Sequence, residues 1–189
     1  MPLLAFWYFF YCAWIATEIY IGVGTRTKQS SGTVRDRGTL RLLWLVIAGS
    51  LTVGITLGRI SGSDLPGGAP WLGPASLAVL LAGLLLRWTA VISLGKSFSS
   101  NVAIHATQRV HKTGLYRWMR HPSYTGLLLC IYASGLQTRN WIAMLIVALP
   151  TTAALLYRIH VEEIALREHF GAEYVDYCAR TKRLVPGVF

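Results

Sequence analysis

Long apolar runs separated by polar, mostly basic gaps set the pattern of this chain. The first run extends from about Leu3 to Val23 and is dense in aromatic residues (Phe6, Trp7, Tyr8, Phe9, Phe10, Tyr11, Trp14). The others run from about Leu42 to Leu57, Ala75 to Leu94, Ser123 to Leu136 and Trp141 to Tyr157. A hydrocarbon core of ~30 Å needs ~20 helical residues. The pattern therefore predicts an all-α integral membrane protein with about five transmembrane helices. No basic segment precedes the first run and no small-residue cleavage site closes it, so it is expected to be a retained helix.

The gaps give the organisation. Residues 24–41 hold Arg26, Lys28, Arg35, Arg37 and Arg41, offset by Asp36, and residues 95–121 hold Lys96, Arg109, Lys112, Arg117 and Arg120 with His105, His111 and His121. Residues 61–74, SGSDLPGGAPWLGP, read as an irregular loop. Gln137-Thr138-Arg139-Asn140 is so short that the runs on either side must form a helical hairpin, with Pro150 a kink in its second arm. With five crossings, the two basic gaps and the basic tail after Tyr157 fall on one side. Lys and Arg are retained on the cytoplasmic side, which puts the N-terminus outside. The tail repeats Ile159, Ile164, Leu166, Phe170, Tyr174 and Tyr177 near helical spacing, which predicts an amphipathic cytoplasmic helix, or two broken at Gly171. Residues 1–189 read as one membrane domain. Three N-terminal spans occupy 1–95, and a polar, chemistry-bearing half occupies 96–189.

Composition supports this picture. Apolar residues make up 53% of the chain and charged residues 14%, a poor match to a water-soluble domain. The net charge of +10 lies in the gaps, which points to anionic lipid as the attracting surface and away from nucleic acid. Cys12, Cys130 and Cys178 are odd in number and widely spaced, giving neither a disulfide framework nor a zinc site. Glu18 and Arg87 interrupt apolar runs. Ionisable groups at such positions face protein, snorkel or serve function.

Candidate chemistry gathers on the cytoplasmic face. In QRVHKTGLYRWMRHPSYTG (108–126), Pro122 suits the first position of a helix, where its missing N–H is no loss. The free amides of that helix start, beside Arg120 and His121, suit a carboxylate. The alternative is a basic boundary loop with an aromatic anchor. Arg158 and Glu162 share a helix face at four-residue spacing, with Glu163 adjacent. They read either as a surface ion pair beside a solvated carboxylate, or as a cation for an anionic substrate and a carboxylate for an amino-bearing ligand. FGAEYVDY (170–177) and Arg183-Leu184-Val185-Pro186 complete the set.

The order of LYRWMRHPSYTG, a hairpin, Arg158-x-x-x-Glu162-Glu163, FGAEYVDY and RLVP resembles the isoprenylcysteine carboxyl methyltransferase family, part of a wider set that includes phospholipid N-methyltransferases. The resemblance covers about residues 100–189. It implies S-adenosyl-L-methionine as cofactor, held at the cytoplasmic end of the last helices. It places the family's cofactor-binding segment on Gln108, Arg109, Val110 and His111, where Gln108 departs from the family's His. It also places a cofactor-contacting tyrosine on Tyr116, the His-Pro element on His121, Pro122, Ser123 and Tyr124, a cofactor-binding glutamate on Glu162, and an upstream polar position on Asn101. Arg158 takes the substrate-orienting, catalytic position. The implied reaction is O-methylation of a lipophilic carboxylate that arrives from the bilayer, with no metal, no nucleic acid and no obligate protein partner. N-methylation of a phospholipid amine and a non-catalytic membrane scaffold are the alternatives.

Overall fold

The computed structural model describes residues 2–25, 33–34, 36, 38–95, 98–100, 103–104 and 109–188. Its helices are α1 (Pro2–Gly24), α2 (Thr39–Ile60), α3 (Leu72–Leu94), α4 (Pro122–Gln137), α5 (Trp141–Phe170) and α6 (Ala172–Arg180). A two-residue antiparallel pair, Thr33–Val34 with Ala103–Ile104, joins the two long loops. Among the described residues, four helices are long and apolar enough to cross a membrane: α1, α2, α3 and α5.

The helices α1, α2 and α3 each bury a narrow stripe and leave the rest of their apolar surface outward, whereas α4 has no exposed residue. On α1 the stripe is Trp7, Trp14, Glu18 and Ile21, while Phe6, Tyr8, Phe9 and Tyr20 are exposed. That inversion of the soluble pattern is what a lipid solvent permits, and it leaves packing to close backbone approach at small residues. At α2–α5 a Cβ on Gly54 would lie 2.9 Å from Val147, and one on Gly58 would lie 3.0 Å from Ala143. At α3–α4 the approach is closer still: a Cβ on Gly126 would lie 2.6 Å from the Arg87 backbone nitrogen and 2.7 Å from the Gly83 carbonyl.

The hairpin turn is fixed by Asn140, fully buried, whose Oδ1 accepts from the Ala143 N–H (3.1 Å) and whose amide donates to the Gly58 carbonyl (3.1 Å). This N-cap sets where α5 begins. The sequence pattern places the end of the last span near Tyr157 and a separate helix after it. In the structure α5 continues without interruption to Phe170 and stops at Gly171 (φ 56°). The change of polarity at Arg158 marks a change of surroundings, and no helix breaker accompanies it. Thirty residues rise ~45 Å, well beyond a ~30 Å hydrocarbon core. The last turns of α5 thus carry Arg158, Glu162 and Glu163 out to the polar end of the bundle. Beyond α6 the chain returns alongside the residues before α4: Arg120 N–H donates to the Lys182 carbonyl (2.7 Å) and His121 N–H to the Arg183 carbonyl (3.0 Å).

Candidate functional site

Arg158, Tyr124 and Glu162 form one line of polar contacts. The Arg158 Nε–H donates to the Tyr124 hydroxyl (2.9 Å), which donates to Glu162 Oε2 (2.7 Å). Helical spacing puts Arg158 and Glu162 on one face of α5, and Tyr124 reaches both from the first turn of α4. The rest of the buried Arg158 guanidinium is held by partners that lie far away in sequence. Nη1 meets Asp36 Oδ1 (2.8 Å) and Thr39 Oγ1 (2.8 Å), and Nη2 donates to the Ser100 carbonyl (2.6 Å). Glu162 is half-buried. Among the described residues the Tyr124 phenol is its hydrogen-bond partner, and no cation pairs with it.

One residue on, Glu163 points into a different environment. It is buried, and Arg120 Nε (2.9 Å), His121 Nε2 (3.4 Å) and Arg183 Nη2 (3.1 Å) surround it. Arg120 also donates to the Cys178 carbonyl (3.2 Å) and to the Thr181 carbonyl. The anion that Arg120 and His121 face is therefore Glu163, which ties the turn before α4, the end of α5 and the returning tail into one unit. His121 lies parallel to the Tyr124 ring, centroids 5.5 Å apart, and so helps to fix the phenol that touches Glu162.

Glu18 and Arg87 form a second buried unit. Nε and Nη2 of Arg87 meet Oε1 and Oε2 of Glu18 at 2.8 and 2.7 Å, a two-point pair. The remaining nitrogen of Arg87 reaches the Ser123 carbonyl (3.2 Å) and the Ser123 hydroxyl. Ser123 is thus engaged with α3, beside the line that contains Tyr124.

A cavity lies between these units. Ile21, Leu40, Leu43, Trp44, Phe98 and Leu127 give it apolar walls, and Glu18, Arg87, Tyr124, Ser100 and Arg158 give it polar ones. Glu162 is not part of its lining, so Tyr124 and Arg158 stand between the cavity and Glu162.

The other sequence-derived candidates distribute as follows. Tyr116 is buried in the 3-10 turn Gly114–Arg117. Its hydroxyl donates to the Ala90 carbonyl (3.3 Å) and its carbonyl accepts from the Tyr177 hydroxyl (2.6 Å). Burial pushes both phenols above their ordinary range, so they remain neutral donors. His111 meets Tyr116 edge-on with centroids 5.2 Å apart; Val110 is half-buried and Arg109 exposed. Pro122 is buried at the first position of α4. Asn101 and Gln108 lie outside the described residues. Sequence reasoning missed Asp36, Thr39 and Ser100 as partners of Arg158, and the hub formed by Glu163. The one available signal was Asp36 itself, an isolated acid in a basic loop.

Taken together, the fold and site define a multi-pass helical membrane protein with a polar, cavity-linked centre at one end of the bundle. The comparisons with known proteins agree. Residues 76–168 match the sequence model of the isoprenylcysteine carboxyl methyltransferase (ICMT) family. The chain is 34% identical over 121 residues to protein-S-isoprenylcysteine O-methyltransferase B of Arabidopsis thaliana, covering 62% of this chain and 61% of that one. It is 32% identical over 118 residues to the Rattus norvegicus protein-S-isoprenylcysteine O-methyltransferase, covering 61% and 42%. A solved structure of the eukaryotic intramembrane Ras methyltransferase ICMT superposes with a TM-score of 0.62 at 26% identity, covering 77% of this chain and 52% of that one. The match to the isoprenylcysteine carboxyl methyltransferase family thus covers residues 76–168, and the chain spans about three fifths of the plant relative's length.

Proposed function

We propose that this protein is a methyltransferase that uses S-adenosyl-L-methionine to O-methylate a lipophilic carboxylate, an isoprenylcysteine-type acceptor being the class named in its relatives. The observation that carries this reading is the line from Arg158 through Tyr124 to Glu162, two of whose members line an apolar cavity while the third lies beyond it. The residues present fit the cofactor. Glu162 is a half-buried carboxylate partnered by a phenol, and it suits an ammonium group. The faces of Tyr116 and Tyr124 suit a sulfonium. Arg109, Val110, His111, His121, Pro122 and Ser123, with Asn101 and Gln108, make up the rest of the family's cofactor segment in this reading. When bound, the cofactor supplies an electrophilic methyl group.

Arg158 holds one acceptor oxygen and leaves the other to attack. A carboxylate is ionised at pH 7, so no general base is needed, and the site's work is alignment in a water-poor cavity. The acceptor's hydrocarbon occupies the walls formed by Ile21, Leu40, Leu43 and Trp44, reached sideways from the bilayer. In this reading α4 makes the fifth crossing and residues 96–189 form the catalytic half. α6 lies at the cytoplasmic surface, and the N-terminus is outside. The test is to incubate membranes containing the protein with radiolabelled S-adenosyl-L-methionine and identify the lipid-phase product. A base-labile methyl ester is expected. A base-stable methylamine, or no labelled lipid, overturns the reading.

A further inference from the structure

We infer that Asp36 is a positioning residue that sets how strongly Arg158 grips the methyl acceptor; this rests on the acceptor assignment above. The carboxylate of Asp36 is not a loose surface acid. Its Oδ1 accepts from the Thr39 hydroxyl (2.6 Å) and the Leu40 N–H (3.2 Å), and its carbonyl accepts from the Thr39 N–H (2.9 Å). It is anchored to the start of α2 as a helix cap is, and in that place it contacts Arg158 Nη1 at 2.8 Å. Arg158 lines the cavity; Tyr124 and Ser100 hold its orientation independently of Asp36, while the Thr39 hydroxyl bonds to both Arg158 and Asp36.

The chemistry gives this arrangement a purpose. As an acceptor oxygen bonds to the methyl carbon, the carbon–sulfur bond breaks and sulfur keeps its electron pair. A carboxylate anion and a sulfonium cation both become neutral. Charge disappears along the reaction, so an unopposed guanidinium would stabilise the bound acceptor more than the transition state. Asp36 offsets part of that charge while the geometry of Arg158 is kept.

The test is Asp36→Asn in the full-length protein in lipid nanodiscs. Asn caps a helix as well as Asp does, so the substitution removes charge and keeps the cap. The probes are an N-acetyl-S-prenylcysteine and its carboxamide. For the acid, KM and kcat should both fall roughly five-fold, the pattern of strengthened ground-state binding. Equilibrium binding of the acid should tighten by a similar factor, with carboxamide and cofactor affinities unchanged, while loss of the counter-charge to buried Arg158 lowers the melting temperature. Thr39→Val keeps the charge and should lower kcat without tightening acid binding. A raised KM for the acid, or a carboxamide affinity that moves with the acid's, overturns the role of Asp36. Wild-type protein that binds the acid and never methylates it sinks the functional reading alone, since binding still tests Asp36. Protein that binds neither probe overturns both.

Discussion

Tyr124 donates a 2.7 Å hydrogen bond to Glu162, and this one contact joins the first turn of α4 to the projecting end of α5. Arg158 donates to the same hydroxyl from the other direction. A phenol that accepts from a cation and donates to an anion has its proton and its ring plane fixed together. The two side chains with opposite charge are thereby held apart by one aromatic group, each available on its own side.

Glu162→Gln removes the negative charge and keeps the shape. Cofactor affinity should fall by an amount typical of a lost charged hydrogen bond, about 1.5–3 kcal/mol. Equilibrium binding of labelled S-adenosyl-L-methionine to purified protein checks this, and an unchanged affinity rejects Glu162 as a ligand.

Arg158→Ala should leave cofactor affinity close to wild type and abolish turnover. It also strips Asp36 of its cation, and breaking a buried pair by removing one partner costs about 3–5 kcal/mol. Thermal unfolding in detergent should show that loss. Retained turnover with weakened cofactor binding would assign Arg158 the opposite role.

Arg87→Met leaves Glu18 buried without its partner and should destabilise the protein by about 3–5 kcal/mol. Adding Glu18→Leu to Arg87→Met should recover much of the stability, since the lone charge is then gone. A double variant no more stable than the single one argues that the pair is not what Glu18 needs.

Gly126→Ala places a methyl group 2.6 Å from a backbone nitrogen and 2.7 Å from a backbone oxygen on α3, neither of which can rotate away. The two helices must separate, at an overpacking penalty of about 1–3 kcal/mol. Because Ser123 and Tyr124 sit one turn earlier on α4, turnover should fall as well. Gly49→Ala, which meets nothing within 4 Å, is the control and should melt as wild type does.

Four of the five expected spans, the hairpin and the break at Gly171 were legible because each follows from local signals: apolar run length, a four-residue gap and a glycine. The motif order from Tyr116 to Val185 was legible for the same reason. Pairings across the bundle were not. Arg87 meets Glu18 across 69 positions and Arg158 meets Asp36 across 122. Nothing in either neighbourhood names its partner, because a buried charge demands a counter-charge without specifying which. Glu162 and Glu163 show the limit at closest range. Adjacent residues on a helix point about 100° apart, so one faces a phenol at the candidate site and the other a cluster of cations, and EE in the sequence does not say which is which.

The Glu18–Arg87 pair has a consequence for how the protein is made. Each charge rides on a helix that the translocon must release into lipid, and an ionised side chain exposed there is penalised by several kcal/mol. Since α1 is synthesised well before α3, Glu18 lacks its partner until Arg87 is made. Slowing synthesis between the two helices should therefore lengthen the period in which α1 carries an unpaired acid and is open to degradation.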